Sequence, residues 1–319
     1  MQRYEGRPLA RPDEELVDQG LGFDLGTVLD RRRLLAAFGL GAAAVGLSAC
    51  SASTPSTPSV SAASSGTAEG EIPDETAGPY PGDGSNGPDV LDDSGIVRAD
   101  IRSSFGGATG TAEGVPMTLE LTIIDLANGG KPFAGTAVYV WHCDREGRYS
   151  LYSDGVTDQN YLRGVQIADD AGKVRFTSIF PACYSGRWPH VHFEVYREQS
   201  AITDSTNAIA TSQVALPKDV CDTVYGQSGY AQSVRNLAQV SLQSDNVFGE
   251  DGGALQLGAV TGSVSSGYTV ALTARVDTRT TPTGGGAPGG GGGPGGAPPS
   301  GGPGGGPGGG PGGMPPSGA

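Results

Sequence analysis

Between Val115 and Val276 the chain is written as short runs of β-branched and aromatic residues, each closed by a cluster of Gly, Pro, Asn or Asp. Met117–Ile124 (MTLELTII), Ala137–His142 (AVYVWH) and Lys173–Ile179 (KVRFTSI) open the series, the last after an Asp169-Asp170-Ala171-Gly172 turn. His190–Tyr196, Ile209–Ala215, Leu255–Thr261 and Tyr268–Val276 continue it. Runs of this length that alternate at period two and are separated by turn residues predict an all-β domain, an antiparallel β-sandwich with long loops. Ile96 to Arg102 adds a short strand before the turn at Gly106, and one short helix is expected at Tyr230–Leu237, with Ser228 as its N-cap. Residues 75–82 (ETAGPYPG) are too rich in Gly and Pro for a helix or a central strand. They read as an extended arm that lays Tyr80 against the domain.

The chemistry concentrates in one stretch, Pro181 to Val195 (PACYSGRWPHVHFEV). His190 and His192 stand two apart in a strand, so both imidazoles project to the same face. Pro189 sits at the strand's start, where its missing N–H does least harm. Tyr184 is delivered by the preceding turn, six residues before His190, and Arg187 lies between them. After the AVYVWH strand, Tyr149 follows a glycine turn at Gly147 and can lean over the same space. Two phenols and two imidazoles make a donor set for a hard metal. A phenol has a reference pKa of about 10 and ionises only when something strong replaces its proton. A trivalent iron does so, and imidazole accepts iron readily. The third histidine, His142, ends an apolar strand and is read as a core residue outside the metal shell. Tyr152 is read as packing, Trp141 and Trp188 as core and pocket wall, and Asp74 and Glu75 as solvated surface.

The rest of the chain is organised for export. Residues 1–49 end in Arg31-Arg32-Arg33-Leu34-Leu35 and a mildly apolar Ala/Gly run, which has the layout of a signal segment of twin-arginine type rather than a spanning helix. Leu47-Ser48-Ala49-Cys50 resembles a bacterial lipobox, so Cys50 is expected to carry lipid and to anchor the chain on the outer face of the cytoplasmic membrane or cell surface. Residues 50–71 are a Ser/Thr/Pro-rich tether, residues 72–278 the folded core, and residues 279–319 a Gly/Pro-rich tail expected to be disordered. A formal net charge of −14 argues against nucleic acid as a partner. Cys143, Cys183 and Cys221 show no zinc-ligand spacing, and Cys183–Cys221 is the pairing favoured if a disulfide forms, a chain that folds before export being equally able to lack one.

The ordered segments GRYS, RGVQ (Arg163–Gln166), FTSIFPACYSGRWPHVHFEVY and Ser212-Gln213 resemble the intradiol ring-cleavage dioxygenases, the group of protocatechuate 3,4-dioxygenase and catechol 1,2-dioxygenase. The resemblance covers about residues 75–215. It implies a β-sandwich holding non-haem Fe(III) through Tyr149, Tyr184, His190 and His192, with Tyr184 the ligand displaced as substrate binds. It implies catalytic roles for Arg187, as the charge-stabilising arginine, and for Gln213 beside it. The expected reaction is cleavage of a small aromatic diol by O2 to a cis,cis-muconate-type dicarboxylic acid. The alternative is a non-catalytic cell-surface β-sandwich binding module with a vestigial metal site. The helical N-terminal segment of the soluble enzymes is replaced here by the signal and tether, so the chain resembles the bare catalytic core.

Overall fold

The computed structural model describes residues 70–284, together with two short strands near the N-terminus, β1 (Arg3–Tyr4) and β2 (Arg7–Pro8), which pair with each other. The chain divides into the units Met1–Ser64 and Ser65–Ala319, and the fold that follows is that of the second. The expected export signal, Cys50, nearly all of the tether and residues 285–319 lie outside the described residues.

Two sheets form the sandwich. The first carries β3 (Pro116–Asp125) at its centre, flanked by β11 (Gly267–Val276) on one side and by β7 (Lys173–Ile179) and the short β4 (Lys131–Pro132) on the other. β10 (Ala259–Ser263) closes the β11 edge. The second sheet runs β6 (Arg163–Ile167), β5 (Ala137–Trp141), β8 (His190–Tyr196), β9 (Ala208–Ala215), antiparallel throughout. Alternation splits β8 cleanly. Val191, Phe193 and Val195 enter the core between the sheets, with Leu119, Leu121 and Ile123 of β3 and Phe176 of β7. His190, His192, Glu194 and Tyr196 take the opposite face. That face is covered as well, because every residue of β8 is buried. A second apolar cluster, including Ala77, Tyr139, Trp141, Tyr149 and Tyr184, packs there. The site thus lies under a lid of loops on the outside of the second sheet.

Phe193 is fully buried where the two sheets meet and pairs with Val140 across the β5–β8 ladder. Phe193→Ala is expected to lower stability by about 3–5 kcal/mol, the cost of an unfilled aromatic site in a packed core. Denaturant unfolding checks this, and a loss well under about 1 kcal/mol would mean that the inner face of β8 does not carry the core.

The strands at Lys173–Ile179 and His190–Tyr196 have the expected bounds. Elsewhere the structure corrects the reading. β11 pairs with β3 in parallel, from Tyr268↔Met117 to Val276↔Asp125. No hairpin joins these two strands, and the long stretch between them leaves room for a crossover. Arg163–Ile167 is a strand that alternation did not reveal, because Gly164 interrupts it opposite Val140. Leu255 and Gln256 turn instead of extending, with Gln256 N–H donating to the Gly253 carbonyl at 2.9 Å, and Leu257 makes only an isolated parallel bridge to Ala215, so that strand begins only at Ala259. Residues 96–101 stitch the two sheets together rather than forming a strand in either. Arg98 N–H donates to Val165 at 2.9 Å and Ile101 N–H to Thr177 at 3.0 Å.

Among the described residues two α-helices follow β9. The first, α1 (Lys218–Tyr225), was not anticipated; it starts after Pro217 and buries Cys221, Val224 and Tyr225. The second, α2 (Ala231–Leu237), is the expected one, but Tyr230 rather than Ser228 is its N-cap and no side chain caps it. The three described cysteines are buried free thiols, so the Cys183–Cys221 bridge is not formed. The Cys183 thiol instead faces the Arg187 carbonyl at 3.4 Å. The chain also continues past residue 279 in defined contacts. Thr280 Oγ1 donates to Glu71 Oε1 at 2.6 Å, and the Thr283 and Gly284 amides donate to Asp74.

Candidate metal centre

β8 supplies the floor of the site. His192 lies opposite Trp141 on β5 and Gln213 on β9, and the Trp141 indole stacks on its imidazole at 4.8 Å with 8° between the planes. His190 Nδ1 faces the Trp188 carbonyl. A carbonyl only accepts, so Nδ1 carries the proton and Nε2 presents its lone pair. The two Nε2 atoms of His190 and His192 converge to 3.0 Å. Burial, with the Arg187 charge nearby, holds His190 down at about 3. Burial likewise holds His192 well below the ordinary imidazole range. Both imidazoles are therefore neutral at neutral pH, the form that donates to a metal.

The two phenols come from loops. The 144–153 turn is built on the Asp144 carboxylate, which accepts from the backbone amides of Glu146 at 3.0 Å and Arg148 at 2.9 Å, and from Arg148 Nε at 2.9 Å. Gly147 stands at φ 88°, and a Cβ there would come 3.3 Å from Tyr184 Cβ, so both the backbone and the space require glycine. Tyr149 follows, with its ring 5.8 Å from that of Tyr184 and 6.3 Å from that of His192. Tyr184 Oη lies 3.3 Å from His190 Nε2. Burial pushes Tyr184 up to about 12, and burial together with the Tyr184 phenol pushes Tyr149 well above the ordinary range. Among the described residues Tyr149 Oη and His192 Nδ1 are buried without a hydrogen-bond partner. An orphaned buried phenol in a ring of lone pairs is an arrangement a cation completes.

The arm forms the roof. Glu75 N–H donates to the Thr211 carbonyl at 2.7 Å and Ser212 Oγ to the Pro73 carbonyl at 2.7 Å, which pins it to β9. Gly78 stands at φ 74°, and a Cβ there would lie 3.3 Å from His192 Cε1. Tyr80 then reaches Tyr149 at 4.9 Å between ring centres, as the arm reading anticipated. Arg163 clamps this roof down from beneath. Its guanidinium donates to the carbonyls of Pro81 at 2.6 Å, Tyr80 at 2.9 Å and Ser150 at 3.0 Å, and to Ser150 Oγ and the Tyr139 hydroxyl.

Arg187 lies beside the phenols, donating through Nη2 to Gln213 Oε1 at 2.7 Å and through Nε to Asp245 Oδ2 at 3.0 Å. The structure therefore brings Tyr149, Tyr184, His190 and His192 together, with Arg187 and Gln213 adjoining. His142 stands apart with both ring nitrogens engaged, Nδ1 with the Cys143 carbonyl at 2.8 Å and Nε2 with Ser178 Oγ at 2.7 Å. Trp188 is a core residue and Trp141 the wall. Tyr152 does more than pack, since its hydroxyl accepts from Gly82 N–H at 2.8 Å and donates to Asn86 at 2.7 Å.

Asp74 and Glu75 are not solvated surface. Asp74 Oδ1 accepts from Thr211 N–H at 3.0 Å. Burial raises Glu75 to about 7. Asp245 went unnoticed in the sequence. Burial would raise its carboxyl, but the Arg187 charge and hydrogen bonds hold it below the ordinary range. Among the described residues no three His, Cys, Asp or Glu side chains group as a metal cluster, so the convergence here depends on the tyrosines.

A family model described as Dioxygenase matches residues 87–201, a span that includes both tyrosines, both histidines and Arg187. A curated catechol 1,2-dioxygenase from Pseudomonas sp. (strain EST1001) is 39% identical over 72 residues, 23% of this chain and 23% of its own. A chlorocatechol 1,2-dioxygenase from Rhodococcus opacus is 38% identical over 55 residues, 17% of this chain and 21% of its own. The chain thus spans less than a quarter of the length of these curated relatives. Among solved structures, an intradiol ring-cleavage dioxygenase from Tetranychus urticae has a TM-score of 0.54 at 22% identity, covering 67% of this chain and 98% of that one, a likeness of fold.

Proposed function

The chain belongs to the intradiol ring-cleavage dioxygenase family, and from that premise we propose that it opens a catechol-type ring between the two hydroxylated carbons with O2. The product is a cis,cis-muconate-type dicarboxylic acid that contains both atoms of the consumed O2. The reading holds that Tyr149, Tyr184, His190 and His192 bind a non-haem iron(III). Its chief support is the convergence of two buried phenols and two neutral imidazoles, with Tyr149 Oη left unpartnered. When bound, iron(III) supplies the Lewis acidity that lets both phenols ionise in a buried pocket and makes a chelated diol receptive to O2.

The chain's own residues do the rest. Hydrogen bonding of His190 Nδ1 to the Trp188 carbonyl fixes that ring with Nε2 inward. Tyr184 would be the phenol to give way as the diol enters, and its phenolate, which burial makes more basic than an ordinary one, would take a proton from the diol. Arg187 offers positive charge where negative charge grows on the reacting ring. Gly78 and Tyr80 roof the pocket and keep water from it. No observation favours the non-catalytic module.

The test is iron content and the visible band of iron–tyrosinate in the purified chain, followed by O2 uptake with catechol, protocatechuate and hydroxyquinol. A colourless protein that binds iron without a tyrosinate band would remove this reading.

The export signal and Cys50 lie outside the described residues, and their reading rests on the sequence. Among the described residues no helix is long and apolar enough to cross a membrane. The proposal is that Cys50 is the lipidated first residue of the mature chain and that residues 50–71 tether the domain at the outer membrane face. An intact mass of the native N-terminus is expected to show cleavage before Cys50 with added acyl mass; cleavage elsewhere, with Cys50 free, contradicts it.

A further inference from the structure

The segment that follows α2 carries no motif, yet it reaches into the site through one residue. Asp245 accepts from Arg187 twice, Oδ2 from Nε at 3.0 Å and Oδ1 from Nη2 at 3.4 Å. The carboxylate is itself anchored by three backbone amides, Trp188 at 2.7 Å, Val247 at 2.8 Å and Phe248 at 3.1 Å. Its side chain has no exposed surface, and that of Arg187 is 11% exposed. An anion held by so many charge-assisted bonds in a buried place has little freedom to move. On the other edge, Gln213 Oε1 takes Nη2 at 2.7 Å, and the Gln213 amide is tied to the Thr76 carbonyl of the arm at 3.1 Å. Nε and Nη2 are thereby engaged. Among the described residues Nη1 has no protein acceptor.

A guanidinium is planar, so two contacts on one edge fix both the plane and the direction in which Nη1 points. We propose that Asp245 is the positioning residue for Arg187, holding its unengaged Nη1 toward the charge that develops on the opening ring. This rests on the charge-stabilising role given to Arg187 above. Two effects of Asp245 oppose each other. Its charge weakens the field of Arg187, and its grip fixes where that field points. In a buried site the second governs, because a displacement of about 1 Å of a group that acts in the transition state costs on the order of 100-fold. The sign of the change in kcat on removing Asp245 therefore separates them. A loss means positioning, and a gain means the field.

The experiment is a double-mutant cycle in the full iron-loaded chain, with Asp245→Asn, Arg187→Ala and the two combined, reading kcat, KM, iron content and the visible band. Asp245→Asn is expected to lower kcat by about tenfold or more with KM, iron and colour little changed. On the Arg187→Ala background it should lower kcat by no more than about twofold, since nothing remains to be positioned. A second readout needs no turnover. In the iron-free chain, the ¹⁵N resonance of Arg187 Nε–H should show slow exchange and hindered rotation, and Asp245→Asn should release both.

An equal loss of kcat in both backgrounds, a gain in kcat, or an unchanged Nε–H signal would each overturn the proposal. A loss on Arg187→Ala with none on Asp245→Asn overturns the role of Asp245 alone. No loss on Arg187→Ala overturns the role of Arg187, and that of Asp245 with it. If Asp245→Asn fails to fold, Asp245→Glu, which keeps the charge and moves it by one methylene, carries the same cycle with the same expected non-additivity.

Discussion

Replacing His190 or His192 by alanine is expected to leave the purified chain without iron and without colour, and O2 uptake with a catechol should fall to background. The two imidazoles are half of the proposed donor set, and their Nε2 atoms meet at 3.0 Å. Neither has a substitute, because His142 is tied up by Cys143 and Ser178 and no further His, Cys, Asp or Glu grouping stands among the described residues. Each variant removes one of only four protein donors, and one of the two neutral imidazoles that anchor the site on the rigid β8 strand. The fold should survive. Both side chains project away from the core between the sheets, where Val191, Phe193 and Val195 carry the packing. Removing a buried imidazole from the outer face opens a cavity, so a modest fall in Tm is expected with it. Metal analysis and the melting curve together check this, and full iron content in either variant would remove that histidine from the ligand set.

Arg187→Ala is expected to behave in the opposite way. Iron and the visible band should stay, since Arg187 supplies no metal donor, while kcat falls on the order of 100-fold or more, the usual cost of losing one preorganised electrostatic contact. The change should fall on kcat rather than on KM, because the charge it meets exists only as the ring reacts. The variant also strands Asp245, a buried carboxylate that would lose its cation but keep the amides of Trp188, Val247 and Phe248. Some loss of stability is therefore expected alongside the loss of rate. Steady-state kinetics on iron-replete protein separates the two. A kcat within about twofold of the parent would leave the metal site standing and remove Arg187 from the chemistry.

The centre of the site was legible because its signals are local. His190 and His192 share a face by the period of a strand, Pro189 marks that strand's start, and β8 begins at His190 as expected. Tyr184 and Arg187 lie in the turn just before. Tyr149 needed more, since a glycine turn allows a side chain to lean over a site but does not say which site; the resemblance supplied that. What escaped the sequence is what acts at a distance. Asp245 meets Arg187 across 58 positions of chain, from a stretch of turns that no periodicity marks. Arg163 sits in a strand broken by Gly164, and its clamp on the Tyr80 and Pro81 carbonyls spans more than 80 positions. Asp74 and Glu75 look like surface charge until β9 is laid beside them. The parallel pairing of β3 and β11 is likewise a matter of long-range register, which period-two alternation leaves open. The free cysteines show the limit of counting, because an oxidising destination allows a bridge without bringing two sulfurs into bonding geometry.

The central claim is that the four-donor site opens a diol ring between its hydroxylated carbons, and ¹⁸O2 turnover tests it most directly. The iron-loaded chain is incubated with catechol under ¹⁸O2, and the product is identified by mass spectrometry. The predicted result is cis,cis-muconate carrying two ¹⁸O atoms, one in each carboxylate, formed in step with the O2 consumed. A semialdehyde from cleavage beside the diol, a product with one label, or catechol recovered unchanged from a fully iron-loaded, coloured protein across the diols tested would contradict it.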